Sequence, residues 1–490
     1  MRLAELLPGA HIPAGLAERD ISEIVCDSRL ATPGSAFFAV PGVRADGLGF
    51  APQALRQGAV AIIAEARGTP PVDRAALIEV ADVRAALAMA SARLYPRQPE
   101  TIVAITGTSG KTSVAAFTRQ IWAALGHQAA SLGTLGVVAP DASAYGALTT
   151  PDPITLHKTL DDLGRRGVTH LALEASSHGI VQRRLDGVRL SAGAFTNLSR
   201  DHLDYHATME AYLAAKLELF ERLLEPGQSA VIDADGDAAE IVLAACAARG
   251  LRIFSTGVKG AGLKLLDARP EAAGTRLEVA CQGEIFKVAL PLAGAFQTAN
   301  ALVAAGLCIV TGADPARALK ALEAIEGAPG RLQLAGARHG APVYVDYAHK
   351  PDALENVLRT LRPYVSGRLV VAFGCGGDRD AGKRPIMGEI AARLADVAIV
   401  TDDNPRSEEA AAIRRAILAG AKGAAEIREI GDRARAIFEA VAGLSPGDLL
   451  VIAGKGHETG QIIGDAILPF SDIECATRAL ADAALKDNAE

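Results

Sequence analysis

The chain has 490 residues and a formal net charge of −7 at pH 7; half of the residues are hydrophobic and 22% are charged. This length predicts about three domains, and the composition is that of a globular protein. Aromatic residues make up only 4% of the chain, which together with the negative charge argues against a nucleic-acid partner.

The cysteines and the apolar segments indicate a cytoplasmic protein. Six cysteines are scattered without a C-x-x-C pair, which predicts reduced thiols and no zinc site. The segment Met1–Ala10 lacks a basic stretch followed by an apolar one, so we expect no signal peptide. The apolar run Ala301–Val310 is too short for a membrane span and has the character of a core segment.

The order of predicted strands and helices along the chain, together with the prolines and glycines between them, predicts three segments. Residues 1–98 hold short strands and turns and end in a helix at Asp82–Leu94, which the nearby prolines terminate. From residue 99 to 330, strands alternate with helices, and Ala328–Gly330 has the composition of a linker. The strands predicted in this second segment are Thr101–Ile105, Thr169–Leu173, Gly193–Asn197 and Ala230–Asp233.

A glycine-rich turn lies between the strand Thr101–Ile105 and a helix predicted at Ser113–Leu125. Backbone N–H groups at a helix N-terminus bind phosphate, a lysine there neutralises the outer phosphates, and a hydroxyl such as that of Thr112 suits Mg²⁺. The loop is shorter than a full Walker A motif, whose first glycine would fall at Ile105. The turn predicts an ATP site made of Thr106, Gly107, Thr108, Ser109, Gly110, Lys111, Thr112 and Ser113.

Three further residues are candidates for the same chemistry. Glu174 ends a predicted strand, where a carboxylate can hold Mg²⁺ directly or through water, or can be an ordinary strand-end residue. The segment Thr196–His206 suggests a metal site or a structural turn; its oxygen-rich neighbours favour Mg²⁺, with His202 as an unusual nitrogen ligand. Lys216 lies in an otherwise apolar helix, and its residue type alone favours a surface lysine that snorkels to solvent.

The third segment, residues 331–490, has its own alternation. Apolar runs separated by helix-length segments predict a parallel sheet with crossover helices. Each run is followed by a polar loop, and ligands of open α/β sheets bind beyond the carboxyl ends of the strands. The predicted strands are Val343–Asp346, Leu369–Phe373, Val397–Thr401 and Leu449–Ala453.

The ordered set of motifs resembles the Mur ligases, the ATP-dependent amino-acid ligases that build the peptidoglycan stem peptide. The set comprises D-S-R and P-G-x-x-x-D-G, the phosphate loop, E-A-S-S-H-G, T-N-L-S-R-D-H-L-D-Y-H, the Lys216 helix, D-Y-A-H-K-P-D-A-L-E-N, G-C-G-G-D-R-D-A-G-K-R-P, D-N-P-R and G-K-G-H-E. It spans essentially the whole chain. The resemblance implies an α/β fold of three domains: a UDP-binding domain at 1–98, a P-loop-type ATPase domain with a parallel sheet at 99–330, and a Rossmann-like amino-acid-binding domain at 331–490.

The resemblance also implies roles for the matched residues. Lys111, Glu174, His202 and Lys216 are the expected catalytic set, and Lys216 is expected to be carbamylated (N6-carboxylysine). Thr112, Glu174, His202 and carbamylated Lys216 are the expected Mg²⁺ ligands. Further nucleotide contacts are expected from Asn300, Arg331, Asp346 and His349. The UDP-muramoyl-dipeptide is expected at Ser28, Val43, Arg44, Ala45, Thr149, Thr150, Ser176, Gln182 and Arg184. Gln297 stands where the family commonly has asparagine, which leaves its role open.

Members of the family that act on UDP-N-acetylmuramoyl-L-alanyl-D-glutamate add either meso-2,6-diaminopimelate or lysine, which differ by a distal carboxylate. A guanidinium group can hold a carboxylate with two hydrogen bonds. Arg406 in D-N-P-R matches the diaminopimelate-type motif, and Glu458 fits an acceptor for the distal ammonium group. The expected diaminopimelate site comprises Arg379, Asp403, Asn404, Pro405, Arg406, Gly454 and Glu458.

The expected activity is therefore the ATP- and Mg²⁺-dependent addition of meso-2,6-diaminopimelate to UDP-N-acetylmuramoyl-L-alanyl-D-glutamate, through an acyl phosphate, by a cytoplasmic monomer without a membrane span. A lysine-adding ligase and a ligase similar to folylpolyglutamate synthase are the alternatives among enzymes; Arg406 and the UDP-type N-terminal segment argue against them. A non-catalytic nucleotide-binding module or an ATP-dependent regulator is the alternative from another class, which the intact set of Lys111, Glu174, His202 and Lys216 disfavours.

Overall fold

The computed structural model describes residues 1–42, 45–65, 76–144, 146, 148–202, 205–271 and 274–487. The chain divides into two compact units, residues 1–254 with 310–312 and residues 255–309 with 313–490. Helices and parallel-rich sheets occur in both units, so the predicted α/β class is confirmed. The three-domain boundaries stay a prediction. Within the described ranges, no helix combines the length and apolar character needed to cross a membrane.

The first unit begins with a parallel sheet of four strands in the order β1-β2-β3-β4. Phe37 and Phe38 point to opposite faces of β2 and are buried in two separate hydrophobic clusters, so both faces of the sheet are covered. The elements are α1 (Leu3–Leu6), β1 (Glu23–Val25), β2 (Ser35–Phe38), α2 (Ala51–Arg56), β3 (Ala61–Glu65), β4 (Leu77–Val80) and α3 (Val83–Leu94).

A second sheet of the first unit positions the phosphate loop. Its strands β5 (Thr101–Thr106), β6 (Ala129–Gly133), β7 (Gly136–Val138), β8 (Ser143–Ala144), β9 (His170–Glu174), β10 (Ala192–Phe195) and β11 (Ser229–Asp233) lie in the order β11-β10-β5-β9-β6-β7-β8. The strands from β11 to β6 are parallel, and β7 and β8 add antiparallel pairs. The predicted strands are confirmed, with ends that differ by one or two residues.

The helices of this part are α4 (Lys111–Ala124), α5 (Pro153–Arg165), α6 (Ser177–Val181), α7 (Met209–Glu218) and α8 (Ala239–Ala248). The start of α5 is specified locally, because the Asp152 side chain accepts from Ile154 N and Thr155 N and Pro153 suits the first turn. Helix α4 begins two residues before the prediction. Strand β12 (Arg252–Gly257) carries the chain out of the first unit.

The second unit begins with an antiparallel meander of β13 (Leu263–Glu271), β14 (Gly274–Cys281) and β15 (Glu284–Leu290), followed by α9 (Ala295–Val310) and α10 (Pro315–Ala321). The predicted core segment Ala301–Val310 is the larger part of α9, and most of its side chains are buried. This confirms its core character.

A six-stranded sheet in the order β16-β17-β21-β18-β19-β20 forms the rest of the second unit. All pairs of adjacent strands are parallel except β16 with β17, which is antiparallel. The predicted strands are confirmed. The strands are β16 (Gln333–Arg338), β17 (Ala341–Asp346), β18 (Leu369–Phe373), β19 (Val397–Val400), β20 (Glu426–Glu429) and β21 (Leu449–Ala453).

Helices cover both faces of this sheet. In α11, the residues Leu354, Val357, Leu358 and Leu361 are buried at the spacing of one helix face. The remaining elements are α11 (Pro351–Leu361), α12 (Lys383–Leu394), α13 (Ala410–Gly420), α14 (Arg433–Ala442), the hairpin of β22 (Gly460–Ile463) and β23 (Ala466–Pro469), and α15 (Asp472–Asp487). The arrangement places the carboxyl ends of β17, β18, β19 and β21 at one edge of the sheet, where the polar loops begin.

Candidate active site

The phosphate loop joins β5 to α4 and depends on glycine at two positions. Gly107 has φ of +145° and Gly110 has φ of +87°, a region that side chains disfavour. A Cβ atom at Gly107 would also overlap Thr196 Oγ1. Glycine at position 107 therefore lets the loop backbone lie close against Thr196.

Residues of the T-N-L-S motif after β10 hold this loop in place. Asn197 Oδ1 accepts from Ser109 N at 3.0 Å, and Thr196 Oγ1 donates to Ser109 O at 2.6 Å. Thr108 Oγ1 donates to Ser199 O at 3.2 Å. The sequence predicts a metal site or a structural turn in this segment, and its first residues hold the phosphate loop.

Lys111 and Lys216 meet at one carbonyl of the loop. Lys111 Nζ donates to Gly107 O at 2.8 Å, and Lys216 Nζ donates to the same oxygen at 2.7 Å. The Lys216 side chain is fully buried, with Nζ 4.2 Å from the centre of the Tyr212 ring. The surface alternative for Lys216 is therefore wrong. Burial and the Lys111 charge lower the pKa of Lys216 to about 6.

Glu174, at the end of β9, faces the start of α4. Its Oε2 atom accepts from Thr112 Oγ1 at 3.0 Å, and its Oε1 atom accepts from Thr134 N at 2.8 Å. Gly133 leaves room for the carboxylate, because a Cβ atom there would overlap it. Oxygen donors from Thr112 and Glu174 beside the phosphate loop fit a hard cation such as Mg²⁺.

His202 follows β10 and lies in a cluster of aromatic rings. Its Nε2 atom is 3.7 Å from Asp201 Oδ2, and its ring centre is 5.1 Å from that of His178. The His178 ring also packs on Tyr205, with centres 3.9 Å apart. The E-A-S-S-H-G motif and the segment that contains His202 therefore form one cluster.

The residues expected at the muramoyl-peptide lie in a connected hydrogen-bond network beside Glu174. Thr150 Oγ1 donates to Glu174 O at 2.8 Å and accepts from Ser176 N at 3.0 Å. Arg184 donates to Thr150 O at 2.6 Å and to Gln182 Oε1 at 2.8 Å. Thr149 enters the network through Thr134, since their hydroxyl oxygens are 3.1 Å apart.

The residues expected at the UDP group lie near the N-terminal sheet. Ser28 is buried at the start of a short 3₁₀ turn, and its hydroxyl donates to Gln53 Oε1 at 3.0 Å. Ala45 O accepts from Gly42 N at 2.9 Å. Val43 and Arg44 lie outside the described residues.

The further residues expected at the nucleotide lie in the second unit and are also linked. Asn300 Nδ2 donates to Gln297 Oε1 at 3.4 Å, and Gln297 Nε2 donates to Arg331 O at 2.9 Å. Asp346 is buried and accepts from Leu332 N at 2.8 Å. Gln297, whose role the sequence left open, thus connects Asn300 to the backbone at Arg331.

Burial shifts the pKa of two of these residues, Asp346 and His349. Burial raises the pKa of Asp346 against the opposing effect of Arg331, and burial lowers the pKa of His349, whose Nδ1 atom is 2.9 Å from Tyr347 O. Arg331 lies over the Tyr347 ring at 4.8 Å, and its buried Nε has no hydrogen-bond partner among the described residues. A buried donor of this kind is suited to an anionic ligand.

A cavity of about 800 Å³ opens at the carboxyl ends of the strands in the second unit. Six of the seven residues predicted for diaminopimelate line it: Arg379, Asp403, Asn404, Arg406, Gly454 and Glu458. Pro405 lies in the same loop and is buried. His349, predicted for the nucleotide, lines the same cavity. The structure therefore brings together residues from four separate loops.

The lining of the cavity carries charges of both signs. Arg406 has φ of +52°, and its Nη1 atom donates to Gly377 O at 2.7 Å. The backbone of Arg406 is held by the β22–β23 hairpin, through Ile462 O at 3.0 Å and Gly464 N at 2.7 Å. Glu458 provides a carboxylate that is 34% exposed. The cavity can hold a ligand that has an anionic and a cationic group.

Two residues that contact the expected site residues had no predicted role. Thr134 binds Glu174 and Thr149, and Lys455 binds Asn404 and Glu458. Thr134 follows a strand end in the first sheet, and Lys455 lies inside the recognised G-K-G-H-E motif. Both are polar residues that follow the end of a strand, and this position is the sequence feature that could have indicated a role in the site.

Comparisons with known proteins identify the family of the chain. The chain matches family models described as Mur ligase family, catalytic domain, at residues 20–95; Mur ligase middle domain, at 105–308; and Mur ligase, glutamate ligase domain, at 330–456. A UDP-N-acetylmuramoyl-L-alanyl-D-glutamate–2,6-diaminopimelate ligase of Bradyrhizobium diazoefficiens is 56% identical over 98% of this chain and 99% of the relative.

Two solved structures extend the comparison. One UDP-N-acetylmuramoyl-L-alanyl-D-glutamate–2,6-diaminopimelate ligase has a TM-score of 0.76 and 33% identity, covering 98% of this chain and 99% of that chain. A folylpolyglutamate synthase of Mycobacterium tuberculosis shares the fold, with a TM-score of 0.59 and 18% identity, covering 76% of this chain and 92% of that chain. The ordered motifs, the fold and the near-complete coverage agree: the chain belongs to the Mur ligase family.

Proposed function

We propose that this chain is an ATP-dependent ligase that adds meso-2,6-diaminopimelate to UDP-N-acetylmuramoyl-L-alanyl-D-glutamate in the cytoplasmic synthesis of peptidoglycan precursors. One observation carries the proposal: the second-unit cavity joins Arg379 and Arg406 to Glu458. The named relatives support it, because those that match nearly the whole chain are diaminopimelate ligases.

The cavity suits the distal end of diaminopimelate, which carries a carboxylate and an ammonium group. Arg406 uses Nη1 for Gly377 O, which leaves Nε and Nη2 for a carboxylate in the paired geometry of a guanidinium. Glu458 accepts from the ammonium group. Lysine has the ammonium group but not the carboxylate, so binding it would leave a desolvated arginine without its anion.

The reaction needs activation, because a carboxylate is a poor electrophile toward an amine. The side-chain carboxylate of the D-glutamyl residue attacks the γ-phosphorus of ATP and forms an acyl phosphate with release of ADP. The amine of diaminopimelate then attacks the carbonyl carbon, loses a proton, and expels inorganic phosphate. The contribution of the protein is positioning and charge neutralisation, and Lys111 in the phosphate loop is the cation for the transferred phosphoryl group.

We assign the Mg²⁺ site to Thr112, Glu174, His202 and carbamylated Lys216. Mg²⁺, when bound, neutralises charge on the phosphates. Carbamylation would replace the buried amine of Lys216 by a carboxylate, which is an oxygen ligand of the kind that Mg²⁺ prefers. This assignment is supported by the position of Lys216, whose side chain is fully buried and whose Nζ atom lies 2.7 Å from Gly107 O of the phosphate loop.

The proposal is tested by phosphate release from the full chain with ATP, Mg²⁺ and UDP-N-acetylmuramoyl-L-alanyl-D-glutamate. We expect release to require added diaminopimelate and to match the amount of ligated product found by mass spectrometry. Lysine in place of diaminopimelate is expected to support little release.

Each alternative predicts a different result. Equal use of lysine would identify a lysine-adding ligase, and addition of glutamate to a folate would identify the folate-type activity. Phosphate release that is the same with and without any amino acid would indicate an ATPase or a regulator. Lys111→Ala, measured in parallel, separates release by this site from that of a contaminating ATPase.

A further inference from the structure

Lys455 is a buried cation beside the amino-acid cavity. It follows β21, and its side chain is fully buried. Its Nζ atom donates to Asn404 Oδ1 at 2.9 Å and to Glu458 Oε2 at 2.9 Å. Asn404 and Glu458 line the cavity, whereas Lys455 is not among the described residues that do so. The side-chain hydrogen bonds of Lys455 therefore reach the cavity through Asn404 and Glu458.

The Asn404 side chain is fixed by protein atoms on both sides of its amide. Its Oδ1 atom accepts from Lys455 Nζ and from Ile462 N at 3.0 Å, and its Nδ2 atom donates to Glu458 Oε2 at 2.9 Å. An amide oxygen has two lone pairs, and both are used. The reverse amide orientation would place two N–H groups against two donors, so the orientation is determined.

Glu458 is oriented by the same contacts. Its Oε2 atom accepts from both Lys455 Nζ and Asn404 Nδ2, while Oε1 accepts no hydrogen bond from the described residues. Two donors on one oxygen prevent rotation of the carboxylate and leave the other oxygen for a ligand. Burying an ammonium group costs more free energy than burying an apolar side chain of the same length, so overall stability does not explain a lysine at this position.

We propose that Lys455 is a positioning residue for the distal ammonium group of the amino-acid substrate. It holds Asn404 and Glu458 so that Glu458 Oε1 points at that ammonium. The inference deepens the proposed function and rests on it, because it takes diaminopimelate as the occupant of the cavity. It adds a specificity-determining residue that does not itself touch the ligand.

The test compares diaminopimelate with L-2-aminopimelate, which keeps the distal carboxylate and lacks the distal ammonium group. For the wild-type chain, we expect kcat/KM to be about 100-fold higher with diaminopimelate, because the analogue leaves Glu458 Oε1 without a hydrogen-bond donor. In Lys455→Met, the KM for diaminopimelate should rise about 10- to 100-fold, and the preference over the analogue should fall at least about tenfold. The KM for ATP should stay within about twofold.

The control is Lys320→Met, which removes the same charge from a lysine of the same unit whose side chain is 75% exposed. We expect it to keep the wild-type preference. A purely structural role for Lys455 would lower activity with both substrates equally and keep their ratio, and that result would overturn the inference. Failure of the wild-type chain to ligate diaminopimelate would instead refute the proposed function, so the two failures are distinct.

Two further measurements apply if Lys455→Met does not fold. Lys455→Gln keeps a hydrogen-bond donor without the charge, and the same loss of preference is expected in it. In a crystal structure of the wild-type chain with diaminopimelate, the distal ammonium group should lie within hydrogen-bond distance of Glu458 Oε1, with Lys455 Nζ still bound to Oε2. An ammonium group bound elsewhere in the cavity would contradict the inference.

Discussion

We expect Arg406 to determine which amino acid the proposed reaction accepts, and Arg406→Ala tests this role. Arg406 lines the cavity, and one of its guanidinium nitrogens is committed to Gly377 O at 2.7 Å. The remaining N–H groups can form two charge-assisted hydrogen bonds with the distal carboxylate. Ala at φ of +52° has the same backbone penalty as Arg, so the substitution changes the side chain without a new strain in the loop.

The expected loss follows from these contacts. A hydrogen bond to a charged group contributes about 1.5–3 kcal/mol, and the partly exposed position of Arg406 favours the low end. Two such bonds give about 3 kcal/mol, which is about a 100-fold loss of kcat/KM for diaminopimelate, since 1.36 kcal/mol corresponds to about tenfold. Activity with lysine should change little, because lysine makes neither bond.

The assay is the ratio of kcat/KM for diaminopimelate over lysine, with product measured by chromatography and mass spectrometry. Arg406→Lys is the matched control: it keeps the charge and loses the paired geometry, so an intermediate loss of about tenfold is expected. The KM for ATP should be unchanged in both variants. An unchanged ratio in Arg406→Ala would refute the assignment of the distal carboxylate to this residue.

Three further predictions concern the first unit. Lys111→Ala should lower kcat by about 1,000-fold or more while the thermal midpoint of unfolding is kept, and near-normal turnover would contradict the phosphate-loop assignment. Lys216→Ala should be nearly inactive, with partial recovery in formate or acetate that replaces the carbamate; full activity without the lysine would exclude a carbamate ligand. Burial and the neighbouring His127 lower the pKa of His170 from 6.5 to about 4, so the unfolded chain binds the proton first and stability falls as pH decreases from 6.5 to 4. Urea unfolding measures the free energy of unfolding at pH 7 and pH 5, and we expect its decrease between these pH values to be smaller in His170→Gln than in the wild-type chain. An equal decrease in both would contradict the burial effect.

The strands and their polar loops could be predicted because local patterns specify them. Buried parallel strands are continuous apolar runs, and Leu369–Phe373 and Leu449–Ala453 were predicted to the residue. Six of the seven residues predicted for the amino acid line one cavity, because parallel strands deliver their carboxyl ends to the same edge. The roles assigned to these residues stay predictions until ligand binding is measured.

The parts that could not be predicted depend on contacts between distant segments. Lys216 lies in an otherwise apolar helix, where its residue type alone favours a lysine that snorkels to solvent, and its contact with Gly107 joins residues that are 109 positions apart in the chain. Lys455 and Asn404 are 51 residues apart, so neither reveals the other locally. The role of Gln297 stayed open for the same reason, because its partner Arg331 lies beyond the helix that carries it.

The most direct test of the central claim follows one oxygen atom. The UDP-muramoyl-dipeptide is labelled with ¹⁸O in the side-chain carboxylate of its D-glutamyl residue and incubated with the chain, ATP, Mg²⁺ and diaminopimelate. If that carboxylate becomes an acyl phosphate that the amine of diaminopimelate displaces, each inorganic phosphate carries one labelled oxygen for each ligated product. Unlabelled phosphate, or labelled phosphate without ligated product, would contradict the account.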